Sequence, residues 1–160
     1  MDIKQRKQNR LSSYDYSTTG AYFVTICTDD RQKILSEVTD DGVPVLKRIG
    51  KVAEGLIMRI PEKYPAVSVD RFVIMPDHIH MLLSIGQGTE APSPTLGNII
   101  GWYKYQVTKE VNRIYGTEGR KLFQRSYYDH VIRNQADYNE AWEYIENNPR
   151  KWVIQKRGYE

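Results

Sequence analysis

Two apolar runs, Val67 to Met75 and His78 to Ile85, are separated by only Pro76 and Asp77. Their length and composition suit strands, and the two intervening residues are turn formers, so the runs close as an antiparallel hairpin. Any fold for this chain has to be built around that pairing.

The rest of the chain divides by period. Ala21 to Thr28 (AYFVTICT) has the β-branched and aromatic composition of a strand, ended by the charged Asp29, Asp30 and Arg31. From Arg48 to Ile60, the residues Ile49, Val52, Ala53, Leu56, Ile57 and Ile60 recur at helical spacing, with Pro61 and Pro65 beyond. A second long helix is predicted from Leu96, Ile99, Ile100, Tyr103, Val107, Val111 and Ile114, which form one stripe. Leu122 to Ile132 reads as extended. A last helix runs from its cap at Asn134 to about Asn148, where Pro149 stops it. Residues 1–20 show no sustained period and read as a basic arm carrying Lys4, Arg6, Lys7 and Arg10; residues 86–95 (GQGTEAPSPT) read as a mobile surface loop. The order strand, helix, strand, strand, helix, strand, helix predicts an α+β fold of split βαβ type. Two helices cover one face of an antiparallel sheet, and the other face is free.

At 160 residues, one domain spanning 1–160 is expected. A 40% apolar and 27% charged composition excludes the disordered and membrane classes. No run reaches spanning length and the first twenty residues lack a signal-peptide core, so a cytoplasmic protein is expected. Cys27, the single cysteine, excludes an internal disulfide and a multi-thiolate metal site. The net charge of +3 gives only a weak push toward anionic partners.

The segment M-P-D-H-I-H-M-L-L (75–83) carries the most chemistry. Side chains alternate along a strand, so His78 and His80 share a face while Ile79, Met81 and Leu83 take the other. Two imidazoles at that spacing either share a cation or sit as surface or hydrogen-bonded rings, and a tight site needs a third group. On the last helix, Tyr138, Ala141, Trp142 and Ile145 form an apolar stripe, with Tyr144 and Asn148 together to one side as an i, i+4 pair. Tyr144 can present its phenol, and Asn148 its amide oxygen, to one site; a half-buried packing tyrosine fits the same pattern, and the chain has twelve.

R-L-S-S-Y-D-Y-S-T-T-G-A-Y-F-V-T-I-C-T (10–28), V-I-M-P-D-H-I-H-M-L-L (73–83) and H-V-I-R-N-Q-A-D-Y-N-E-A-W-E-Y-I-E-N-N-P (130–149) together resemble the REP-associated tyrosine transposases. These are relatives of the insertion-sequence transposases with a His-hydrophobe-His motif and one nucleophilic tyrosine. The resemblance spans nearly the whole chain. It implies a ferredoxin-like sheet carrying the site on its open face, with a C-terminal catalytic helix. It further implies His78 and His80 as metal ligands, Tyr144 as nucleophile and Asn148 as third protein ligand, where some insertion-sequence relatives have the longer Gln. The implied cofactor is a divalent metal, magnesium or manganese; imidazole preference alone also allows zinc, nickel or cobalt.

The implied reaction is single-stranded DNA cleavage and strand transfer at hairpin, REP-like elements through a 5′-phosphotyrosine. A cation absorbs charge on the anionic phosphodiester, which otherwise repels the nucleophile. A phenol of ordinary pKa near 10 is only about one part in a thousand ionised at pH 7, so its proton needs help to leave. For DNA binding, residues 101–125 interleave aromatics with basic residues, among them Lys104, Lys109 and Arg125, although Tyr103 falls on the core stripe. By analogy with similar proteins, the arm at Lys4, Arg6, Lys7 and Arg10 reads a short single-stranded tag beside a hairpin. The expected partner is therefore single-stranded DNA with hairpin structure, with no membrane. Monomer and homodimer both stay open, since insertion-sequence relatives form dimers and some REP-associated relatives act alone. Two other classes compete. A non-catalytic ferredoxin-like nucleic-acid-binding module would carry stacking aromatics where this chain has His78 and His80. A small-substrate metal hydrolase leaves Tyr144 unexplained.

Overall fold

The computed structural model of the chain describes residues 20–86 and 94–158. Lys4, Arg6, Lys7 and Arg10, and most of the loop at 86–95, lie outside the described residues.

Strands β1 (Gly20–Cys27), β4 (Val67–Ile74), β5 (His78–Ile85) and β6 (Tyr128–Val131) form one antiparallel sheet in the order β4-β5-β1-β6. Because β1 lies beyond β5, the first strand and β4 run parallel with β5 between them, the split βαβ arrangement of a ferredoxin-like sheet. The hairpin read from the sequence is present, with Ile74 opposite Ile79 and the Met75 N–H donating to the His78 carbonyl at 2.8 Å. A smaller hairpin of β2 (Ser36–Val38) and β3 (Pro44–Leu46) was not anticipated; strands of three residues are too short to show a period.

Alternation sorts the strand side chains into two layers. Val24, Ile26, Ile79, Met81 and Leu83 meet Ala53 and Ile57 of α1 (Arg48–Ile57) and Ile99, Ile100, Tyr103 and Val107 of α3 (Leu96–Tyr115). Tyr103 is core, its hydroxyl donating to the Ala53 carbonyl at 2.9 Å. The predicted helix over 48–60 is interrupted after Ile57 and resumes as the short α2 (Ile60–Lys63). Pro61 has no N–H for the Ile57 carbonyl and its ring would strike it, whereas in the first turn of a new helix it costs nothing.

The second face is covered rather than free. Phe23, Val73, Met75, Leu82 and Ile132 pack against Ala141 and Ile145 of α4 (Gln135–Gly158). Asn134 caps this helix, its side-chain oxygen accepting from the Asp137 N–H at 2.8 Å. Two further features hold α4 down. A β-bulge between Val69 and Arg71 sends both Asp70 and Arg71 to the α4 side. There Asp70 accepts from the Tyr138 hydroxyl at 2.7 Å, and the Arg71 guanidinium lies 4.8 Å from the Trp142 ring centre. Pro149 does not stop the helix, which runs nine residues past it. An interior proline costs a helix about 3 kcal/mol, and the burial of Val153 and packing of Trp152 beyond it offset that loss.

Candidate active site

β5 delivers His78 and His80 to the α4 side of the sheet because their neighbours Ile79 and Met81 are drawn into the opposite core. The two rings lie 4.6 Å apart between centres, and His80 meets the Tyr144 ring at 5.4 Å. Phe23 completes the cluster, stacked on His80 at 5.1 Å and edge-on to Tyr144 at 5.5 Å. A pocket of about 340 Å3 opens over this group, lined by Thr25, Cys27, Arg31, His78, His80, Tyr128 and Tyr144. The strand pair and the helix residue proposed independently from period are thus brought to one place.

Each histidine is oriented from behind. Nδ1 of His78 lies 2.7 Å from Oδ1 of Asp77, and Nδ1 of His80 lies 2.8 Å from the Thr25 hydroxyl. With each Nδ1–H donating to its oxygen, Nε2 is the nitrogen left to a ligand on both rings. Burial first, then the neighbouring His78 and Arg31, hold His80 well below the ordinary imidazole value, against a smaller opposing pull from Asp77. It is neutral at pH 7, the form that ligates. Asp77 also accepts from Nε of Arg31 at 3.1 Å. Burial pushes its carboxyl up, but the bonds from His78 and Arg31 outweigh that and leave it below its ordinary value.

This donor set fits a divalent cation: two imidazoles on one strand face, each with an oxygen against its Nδ1, beside a pocket. Among the described residues no group of three or more His, Cys, Asp and Glu side chains is placed to hold a metal, so a third protein ligand drawn from them would be of another type. Asn148 lies one turn beyond Tyr144 on α4 and is 8% exposed; it is not among the residues that line the pocket.

The basic residues of 101–125 are not gathered here. Lys104 and Lys109 belong to α3, on the far side of the sheet. The Lys104 ammonium donates to the carbonyls of Gln124 at 2.6 Å and Arg125 at 3.0 Å, which fastens the loop before β6. Arg125 is exposed on that loop, three residues ahead of Tyr128, which lines the pocket. His130 accompanies α4 rather than the pocket, its Nε2 lying 2.9 Å from the Asp137 carboxylate in the helix's first turn.

Four residues that matter here were not singled out from the sequence. Asp77 was read only as a turn former, although a carboxylate immediately before His78 was a usable signal. Thr25 and Trp152 gave none, being one β-branched residue in a strand and one aromatic beyond an assumed helix end. Arg31 was read as a strand terminator; it has φ of 52°, next to Asp30 at 56°, and this tight turn puts its guanidinium on Asp77 and 3.3 Å from Sγ of Cys27.

Comparison with known proteins gives a family and related folds. A model of the family described as "Transposase IS200 like" matches residues 16–148. An uncharacterised protein of Haemophilus influenzae is 31% identical over 94% of this chain and 91% of its own length. A second Haemophilus influenzae protein, named provisionally as a REP-associated tyrosine transposase, is 27% identical over 88% of this chain and 77% of its own. Among solved structures, a REP-associated tyrosine transposase bound to a REP hairpin superposes with a TM-score of 0.58 at 21% identity, covering 88% of this chain and 74% of that one. A crystal structure assigned as a transposase of Deinococcus radiodurans R1 gives a TM-score of 0.53 at 16% identity, over 87% and 96%. With its sheet order, its covered second face and a family match over most of its length, the chain belongs to the IS200-like transposase family and is a DNA-processing enzyme by that membership.

Proposed function

We propose that the chain cleaves and rejoins single-stranded DNA beside a hairpin, with Tyr144 as nucleophile and His78, His80 and Asn148 holding a divalent cation. The observation that carries this reading is the convergence of two oriented histidines and one helix tyrosine on a single pocket, with ring centres 4.6 and 5.4 Å apart. The hairpin partner is supported by the structural relative, which is bound to a REP hairpin.

The chemistry divides among the residues as follows. The Tyr144 oxygen attacks the phosphorus, a P–O bond to the phenol forms, and the P–O3′ bond breaks. The phenol loses its proton and the departing 3′-oxygen gains one, so the products are a 5′-phosphotyrosine and a free 3′-hydroxyl. Because bond energy is conserved in the phosphotyrosine, another 3′-hydroxyl can reverse the step without a nucleotide cofactor. A bound magnesium or manganese ion supplies Lewis-acid stabilisation of the phosphoryl oxygens. Arg31 places a second, permanent cation in the same pocket. Among the described residues no carboxylate lines the pocket. Phe23, edge-on to Tyr144, fixes the ring against the sheet. The non-catalytic binding module is disfavoured because α4 occupies the sheet face on which such modules stack bases.

The test is a denaturing gel of labelled hairpin oligonucleotides with a single-stranded flank, run with magnesium or manganese, then peptide mapping of any adduct. Tyr144→Phe removes only the attacking oxygen and should abolish adduct and cleavage while folding and DNA binding survive. Tyr128 lines the same pocket, so Tyr128→Phe is the demanding control and should keep the adduct. Cleavage by Tyr144→Phe, or an adduct mapped to Tyr128, would reject the assignment.

A further inference from the structure

Beside the histidine pocket lies a larger cavity, about 760 Å3, whose lining includes Lys33, Glu37, Lys47, Trp152 and Lys156. Its walls are the two elements the sequence concealed. One is the β2–β3 hairpin, whose turn approaches α4 so closely that a Cβ on Gly42 would lie 3.2 Å from the Arg150 Cα. The other is the part of α4 beyond Pro149. The hairpin is itself anchored to the main sheet next to the histidines, by Ser36 Oγ donating to the Ile74 carbonyl at 2.9 Å and Leu35 N–H donating to that of Pro76 at 3.0 Å.

Trp152 lies between the larger cavity and His78. Its ring centre is 6.2 Å from that of His78, and it also lines the larger groove, where the Lys33 ammonium sits 5.7 Å from it. Three lysines line the groove against one glutamate. Lys47 is partly engaged, donating to the Lys33 carbonyl at 3.0 Å and lying 3.9 Å from Glu37. Lys33 and Lys156 are exposed. An aromatic face flanked by solvated ammonium groups matches a nucleic-acid strand, which offers a stackable base between two phosphates; an acidic peptide would satisfy the lysines and leave the indole without a counterpart.

We propose that this groove is a single-stranded DNA subsite, in which Trp152 stacks a base of the strand flanking the scissile phosphate and Lys33 and Lys156 neutralise its backbone. The proposal rests on the strand-transfer reading for its position next to the scissile phosphate, but binding alone reads it out. The probe is a short fluorescein-labelled oligothymidylate, measured by anisotropy at low salt without metal, on the Tyr144→Phe protein so that no cleavage intervenes. Adding Lys33→Glu and Lys156→Glu, both exposed and away from the core, should weaken binding about tenfold or more and flatten the dependence on salt. Trp152→Leu keeps an apolar side chain beside His78 and removes the stacking face, and should cost about fivefold or more. An abasic oligonucleotide of equal charge should bind the Tyr144→Phe parent more weakly and no longer distinguish the Trp152→Leu variant from it.

Unchanged affinity in the lysine variant overturns the subsite. So does equal affinity for the abasic strand, which would mean a charged surface without base stacking, and so does equal competition by polyglutamate. If cleavage mapping instead rejects Tyr144 while these binding losses appear, the chemistry falls and the subsite stands.

Discussion

Asp77 stands between a guanidinium and an imidazole, 3.1 Å from Arg31 and 2.7 Å from His78. Its charge fixes the His78 tautomer, while Arg31 keeps the carboxylate ionised and turned inward. Asp77→Asn preserves size and an acceptor oxygen and removes only the charge, so manganese affinity by calorimetry should fall about 10- to 100-fold with the fold intact; an unchanged constant would detach Asp77 from the site. Tyr138 shows a different use of a carboxylate. Burial first, and then the bond to Asp70, push its phenol up to about 12. As pH rises from the ordinary phenol value of 10 towards 12, the unfolded chain gives up a proton that the folded chain retains, so stability falls across that window. Tyr138→Phe should flatten this alkaline limb in urea midpoints taken from neutral pH upward. At neutral pH it should cost about 1 kcal/mol, less than a fully buried charged hydrogen bond because the pair is part-exposed. A limb that survives in the Phe variant belongs to another of the tyrosines. At this scale the histidines were legible because a strand's period of two is strict, and Asp70's role was not, because the bulge that aims it is a tertiary departure from that period.

Helix α1 is set by one close approach. A Cβ on Gly50 would collide with the Leu35 carbonyl oxygen, and backbone cannot yield as a side-chain tip can. Gly50→Ala should therefore destabilise by about 2–3 kcal/mol or more. Gly55 on the same helix meets nothing within 4 Å, so Gly55→Ala should stabilise by about 0.5–1 kcal/mol. Chemical denaturation of the two variants checks both signs, and a loss of stability in both would mean that the Leu35 contact is not what separates the two positions. That contact also explains why the β2–β3 hairpin escaped the sequence: it exists through its seats on Leu35, Ile74 and α4, and its three-residue strands carry no pattern of their own. α4 shows the reverse error. Its stripe of Ala141 and Ile145, buried at 0% and 2%, was readable, and Tyr144 fell beside it as the period required. Its end was misread because Pro149 is a strong local signal that the packing of Trp152 and Val153 overrides. The larger groove was hidden for both reasons at once.

At the scale of the molecule, the helices divide the labour. α1 and α3 close one face of the sheet with apolar side chains, and α4 closes the other except where the histidines interrupt the core. That interruption is recessed, with His78 and His80 only 8% and 2% exposed between α4, Arg31 and the edge strand carrying Tyr128. A phosphate reaches such a place only if its strand can bend into the gap. A duplex backbone lies on a stiff, stacked rod whose deformation costs several kcal/mol, whereas a single strand turns there at little cost. The net charge of +3 gives weak overall attraction, so local fit decides more than field. The proposed reaction should thus require an unpaired flank and not merely a hairpin. One hairpin oligonucleotide tests this, assayed with its flank free and with the flank annealed to a complement, at the same salt and the same manganese concentration. Cleavage should be lost on annealing, and restored when a few mismatches unpair the residues around the scissile position, with the hairpin untouched throughout. Equal cleavage of the fully paired flank would mean that the site accepts duplex, and the recessed geometry around His78 and His80 would then have to open before the strand enters.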